Sequence, residues 1–347
     1  MELMPYSASS AGDPRPIPTT GAVCTEFVNF RRGRVGFLRV DQFLPTLQRR
    51  TGNFVAIIVL GRGKCGLSRS ITYYLVAMAA ADLSAVFFNV SIFYLYAAIF
   101  QDIHTVACTL QRVMAYVSLD WSVWLTVAFT FDRYVAICCQ DFKTRYCTVR
   151  IATVAIATVY VVSLIRNIPY YFAFYSYYIN MPIDCIEKPE YFSHPGWLAF
   201  SWIHTILTPL LPFFVIVSLN ILTVRSIVVA SRARSKLRAH VSEEKQEDPE
   251  MESRRKSIIL LFCVSGSFIL LWLTDVCFFI YTHIANLHTV QSYANPRYMA
   301  INAADMLKIL SSCTNTFIYV VTQSRVRAEL KHAIMYPFTM CLKPVKK

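Results

Sequence analysis

Asp132, Arg133 and Tyr134 follow one another at the end of a mostly apolar run, Val113 to Phe131, with Arg133 standing 25 residues after the lone Cys108. Other ionisable side chains interrupt apolar stretches elsewhere: Asp82, Asp120, Asp275, Asp305 and Lys308, with Arg112 near the start of the same run. A charge in such surroundings is costly, so each is a candidate for an ion pair, a bound cation or proton, or a contact to a polar ligand. No His-Glu-x-x-His, Gly-x-Ser-x-Gly or Cys-x-x-Cys spacing occurs, so the patterns of a zinc hydrolase, a serine hydrolase and a metal-thiolate site are missing. The residues can pair, exchange partners and bind; nothing in their spacing points to bond cleavage or to an enzyme.

The elements that must position them are set by composition. With 347 residues, 55% hydrophobic and 16% charged, the chain carries more apolar surface than a soluble core of this size can bury, and needs lipid. Ile71 to Gln101 contains one charge, Asp82, while Trp197 to Val224 and Ser257 to Thr274 contain none. Each reaches the length of about 18 residues at which an apolar run reads as a spanning helix. Val113 to Phe131, Ile151 to Ile165 and Tyr298 to Val321 are further spans. Asn53 to Leu60 is only a stub, rising about 12 Å as a helix, and the arginines before it (Arg31, Arg32, Arg34, Arg39, Arg49, Arg50) oppose its extension. Met1 to Thr20 is rich in Pro and Ser and predicts a segment without regular structure. No pattern of a cleaved signal peptide opens the sequence.

The net charge of +13 raises nucleic acid as a partner, but its placement argues for lipid. With Arg133 on the inner side, the inner segments hold 22 Lys and Arg and the three outer loops hold 2. That asymmetry fixes the orientation of a multi-pass membrane protein. Basic tracts such as Arg232, Arg234, Lys236 and Arg238 then serve as topology determinants beside anionic lipid, with contact to an inner partner as an added role. The acidic tract Glu243 to Glu250 between two basic flanks predicts a solvated, flexible third inner loop. Of the 11 cysteines, Cys263, Cys277 and Cys313 fall in apolar helices and predict small core residues; Cys138, Cys139 and Cys147 fall on the reducing side.

Cysteine, 25-residue spacing, Asp-Arg-Tyr and membrane span together resemble the third helix of rhodopsin-like (class A) G-protein-coupled receptors, and the resemblance covers about Asn53 to Met335. It implies an all-α, seven-transmembrane bundle over 51–322 with an atypical or truncated first helix. Before it would lie an extracellular segment, 1–50, and after it a cytoplasmic tail, 323–347, with a short amphipathic helix. Val326, Leu330 and Ile334 supply that helix with an apolar side at a spacing of four, and Cys341 beyond it is a palmitoylation candidate. The second and third helices look most like peptide-type orphan receptors that sense aromatic amino acids. Two departures stand out: Thr274 and Thr316 occupy places where the family has prolines in helices 6 and 7.

The resemblance also implies roles. Cys108 and Cys185, both on the outer side, would form a disulfide in oxidising space. Asp132, Arg133, Tyr134, Asn315 and Tyr319 would form the G-protein coupling switch, and Phe268, Trp272 and Pro212 the activation relay. Pro212 would free a carbonyl one turn earlier and bend helix 5. Asp82 with Ser122, Ser311 and Asn315 would hold a sodium ion, whose preference is for hard oxygen ligands; a protonated Asp82 hydrogen-bonded to the same helices is the other reading. Arg112, Asp120, Asp275, Asp305 and Lys308 predict an ion-pair cluster lining a ligand pocket, against a purely structural pairing.

A retinal-binding lysine would stand six residues before Asn315, where this chain has Ile309, and an amine-binding aspartate 18 before Arg133, where it has Ala115. No cofactor beyond the sodium ion is implied. The aromatic run Tyr170 to Tyr178 suits a peptide or aromatic small molecule by stacking, and equally a membrane-interface belt. The resulting expectation is a plasma-membrane receptor that binds such an extracellular ligand and activates a heterotrimeric G protein by rearranging helices 6 and 7. The rival class is a transporter or channel using the buried Asp and Lys residues, for which internal repeats would be the sign; none is seen.

Overall fold

The structure, a computed structural model, describes residues 52–63, 65–91, 105–179, 181–238, 249–284 and 296–331. The N-terminal segment 1–50, the core of the acidic tract at 243–248, and Ile334, Met335 and Cys341 lie outside the described residues. Seven principal helices follow in order. They are α1 (Gly52–Gly61), α2 (Arg69–Val86, continued by a π-helical turn Phe87–Ser91), α3 (Thr105–Cys138), α4 (Val149–Asn167), α5 (Pro195–Thr205 and Leu211–Arg238 around a break), α6 (Pro249–Ile284) and α7 (Pro296–Thr322). An eighth, α8 (324–331), follows α7 after Gln323. Five of them, α2 to α6, are long and apolar enough to cross a membrane. The apolar stretch of α1 is short, as its sequence predicts, and α7 has the length but carries Lys308 and Asn315 along it.

Local sequence explains the helix starts. Ser68 and Thr148 accept hydrogen bonds from the amides of Ile71 and Ile151, capping α2 and α4. Pro195 sits at the first turn of α5, where a missing N–H costs nothing. The central element is α3, which packs against α2, α4, α5 and α6 and against the outer hairpin. The small residues of α2 make close packing workable: Ala77, Ala79, Ala81 and Ala85 are buried. A tryptophan in α3 helps to join three helices. Trp121 Nε1 donates to the Tyr160 carbonyl over 3.2 Å, and Tyr160 Oη donates to the Ala77 carbonyl over 3.2 Å, joining α2, α3 and α4.

One expectation, that for the cysteines of α6, needs correction. The outer loop carries regular structure: β1 (Phe174–Ile179) and β2 (Met181–Glu187) form an antiparallel hairpin, whose aromatic and β-branched residues favour extended backbone. Cys263 and Cys277 are exposed on the lipid side of α6 rather than in the core, because an apolar helix in a membrane has no need to turn its small residues inward; the Cys313 side chain lies outside the described ones. The two flanks of the third inner segment are helical, since α5 runs on to Arg238 and α6 begins at Pro249, while the acidic tract at 243–248 lies outside the described residues. The bend in α5 falls at Thr208 (φ −152°, ψ 105°), one turn before Pro212 at the carbonyl that this proline leaves without its helical donor, and immediately before Pro209.

Candidate functional site

Three polar assemblies stack along the bundle, each built on α3. At the inner end, Asp132 is 1% and Arg133 4% exposed. The Arg133 guanidinium pairs with the neighbouring Asp132 carboxylate, and Ser70 of α2 donates to the other carboxylate oxygen over 3.1 Å. Each charge thus has a partner, as a buried pair requires. Tyr134, the residue after Arg133, is half-buried, with its ring 6.5 Å from that of Phe131.

One level up, Asp82 of α2 is fully buried. Ser122 of α3 donates to its Oδ1 over 2.6 Å and Asn315 of α7 to its Oδ2 over 2.8 Å. Ser311, one turn before Asn315, is also buried, and so is Tyr319 one turn after it. Two of the expected partners, Ser122 and Asn315, thus reach Asp82 directly. On the same stretch of α7, Thr316 donates to Asn53 of α1 over 2.5 Å, and Asn53 donates to the Ser312 carbonyl over 3.0 Å. Among the described residues no group of three or more His, Cys, Asp or Glu side chains could hold a metal. The oxygens around Asp82 are hydroxyl, carboxylate and amide, a donor set that suits a small hard cation.

In the middle, Phe268 and Trp272 of α6 have ring centroids 5.6 Å apart and pack with Val123 of α3 and Ile216 of α5 into one buried cluster. Pro212 is buried one turn before Ile216. Phe268 and Trp272 are thus gathered against α3.

That outer layer divides in two. Lys308 of α7 meets Asp275 of α6 at 2.9 Å, with both side chains about one-fifth exposed. The Asp305 side chain lies outside the described ones. Asp120 does not join this pair. It faces the other way, where Arg166 of α4 pairs with it and Asn167 donates to its Oδ2 over 2.5 Å. The reason is helical phase: the α4 and α5 side of α3 carries the cation that neutralises Asp120. Arg112 is also engaged, since its Nη2 donates to the Cys185 carbonyl over 3.0 Å and its guanidinium lies 5.7 Å from the centre of the Phe174 ring. It braces the outer loop.

Cys108 and Cys185 are joined by a disulfide with Cα atoms 5.6 Å apart, fastening β2 to the top of α3. Beneath the hairpin, Tyr116 stacks on Tyr170 at 4.1 Å, and Phe174, Phe200 and His204 surround them. Tyr170 and Phe174 are buried, whereas Tyr171 and Phe172 point outward. The described part of the aromatic run is thus split between buried and exposed rings.

Sequence reasoning missed Arg166, Asn167 and His204. Arg166 was the one signal available, an arginine inside an otherwise apolar span; it reads as the end of the helix unless a carboxylate partner is sought.

Two comparisons bear on this geometry. The model of the 7 transmembrane receptor (rhodopsin family) matches residues 52–319. A probable G-protein coupled receptor 142 of Mus musculus is 24% identical over 268 residues, which make up 76% of this chain. The chain spans 65% of the length of that curated relative.

Proposed function

Because the chain belongs to the rhodopsin family of seven-transmembrane receptors, we propose that it binds an extracellular peptide or aromatic small molecule at the plasma membrane and activates a heterotrimeric G protein. The observation that carries the reading is the buried Asp132–Arg133 pair at the inner end of the same helix whose outer end holds the Cys108–Cys185 disulfide. The ligand would sit under the hairpin, between the aromatic wall and the Lys308–Asp275 pair that joins α6 to α7. Shifting either partner of that pair moves the helix that carries Trp272 and Phe268, and outward motion of the inner end of α6 would release Arg133 to the G protein. The ligand biases this equilibrium by as much as its affinity differs between the two states.

The test is nucleotide exchange on membranes carrying the full chain, with aromatic amino acids and short peptides as probes. Basal or probe-evoked exchange supports the reading, and charge flux without any exchange overturns it. Arg133→Ala should abolish exchange while a probe that binds the parent still binds. Loss of binding with exchange preserved would contradict the assigned role.

Asp82, Ser122, Ser311 and Asn315 are the residues that would hold a sodium ion, which would supply the positive charge that a buried carboxylate otherwise lacks. Raising sodium at constant ionic strength, with potassium as the balance, should then raise the melting temperature of the purified receptor, and Asp82→Asn should remove that dependence. Equal melting in both salts favours a protonated Asp82.

A further inference from the structure

The break in α5 is not left to the prolines alone. At Thr208 the backbone leaves helical geometry, and Leu211 N–H reaches back to the Ile206 carbonyl, a π-type step. Pro209 and Pro212 contribute no N–H, so two carbonyls of the preceding turn lose their helical donors. A break of this kind is free to change its angle unless something outside the helix fixes it. Here a side chain from another helix does so: Arg166 Nη2 of α4 donates to Thr208 Oγ1 over 2.7 Å, and the same nitrogen pairs with Asp120 Oδ2 of α3. Thr208 is 6% exposed and Asp120 0%, so water competes little for either bond.

We propose that Arg166 is a positioning residue that ties the break in α5 to the buried carboxylate of Asp120 and so sets the direction of the inner half of α5. The outer half of α5 faces the same carboxylate without being tied to it. His204 Nε2 lies 3.8 Å from Asp120 Oδ1, too far for a hydrogen bond, and among the described residues neither atom has a hydrogen-bond partner. Asp120 therefore holds the break firmly through one oxygen and leaves the other available to the outer half. A rearrangement beneath the hairpin that brings His204 onto that free oxygen would share Asp120 between the two halves and change how α5 runs to the inner side. That the tie sets signalling output rests on the receptor reading above; the tie itself does not.

Replacing Arg166 or Asp120 would strand a buried charge and risk misfolding, so the test is made at Thr208. Thr208→Val keeps the shape and removes the hydroxyl, whereas Thr208→Ser keeps the hydroxyl. Hydrogen exchange of the purified full chain in detergent should show the amides of residues 205–211 exchanging roughly tenfold faster in the valine variant, as expected for losing a charged hydrogen bond, with serine close to the parent. Basal nucleotide exchange should rise in valine and return to the parent level in serine. Valine and serine alike in amide exchange would overturn the tie. A valine-specific amide effect with unchanged basal output would overturn its signalling role. A valine-specific amide effect in a chain that drives no nucleotide exchange under any probe would leave the tie standing and sink the receptor reading instead.

Discussion

Cys147, between the short inner helix Gln140–Tyr146 and α4, places its Sγ 3.6 Å from the Asp132 carbonyl and donates to it. Burial first, and then the negative charge of Asp132, push its thiol up to about 11. A raised thiol pKa keeps the group protonated through neutral pH, and the thiolate is the reactive species. Alkylation at pH 7.5, resolved by peptide mass spectrometry, should therefore be about a hundredfold slower at Cys147 than at an ordinary exposed cysteine. Arg133→Ala should slow it further, because the guanidinium is one of the groups that lower this pKa. Reaction at an ordinary rate would mean that the inner end of α3 is open rather than closed over Asp132. The same carboxylate thus serves the arginine beside it, Ser70 on α2 and the loop that follows α3.

Gly66 shows how one residue positions an element. Its φ of +68° is a conformation that favours glycine, and a Cβ there would stand 2.7 Å from Cδ of Arg325. Arg325, in the first turn of α8, thus lies across the bare backbone of the first inner loop. Val326 beside it is buried, and Leu330 packs against the same core. Gly66→Ala should cost roughly 1–2 kcal/mol, from the positive φ and from displacing Arg325. It should speed hydrogen exchange across α8 without touching α3, and an unchanged α8 would show that this packing holds nothing.

The elements themselves were legible in the sequence to unequal degrees. The apolar spans, the short α1 and the α8 pattern follow from hydropathy and spacing, and the residues around Asp82 from the resemblance to the receptor family. The split of the outer polar layer does not: Asp120 has the same sequence appearance whether it faces Lys308 or Arg166. Only the rotation of α3 against α4 decides between them. The bend in α5 was legible one turn before Pro212, but its external fastening depends on a side chain 42 residues away. The hairpin under the disulfide escaped because a loop of aromatic residues reads equally as an interface belt.

At the scale of the whole molecule, the charge asymmetry and the buried inner pair demand one orientation. The segment between α5 and α6 must be inside and the β1–β2 hairpin outside. An impermeant amine-reactive label applied to intact cells should therefore modify Lys188, after the hairpin, and leave Lys236 and Lys245 untouched until the membrane is opened. Labelling of the latter from outside would overturn the topology and the receptor assignment with it. In lipid, apolar contact between helices gains little from excluding water, so packing and interhelical hydrogen bonds must hold the bundle together.

The fourth helix makes that visible. Only Ala152, Ser163 and Asn167 of α4 are buried, while Val154, Val161, Val162 and Ile165 face outward. Tyr160, Arg166 and Asn167 carry its bonds to the neighbouring helices. This rod is riveted at a few points rather than glued along a face. Its outward letters are free to drift through evolution in any greasy spelling, while the three rivets hold the spelling of the seam.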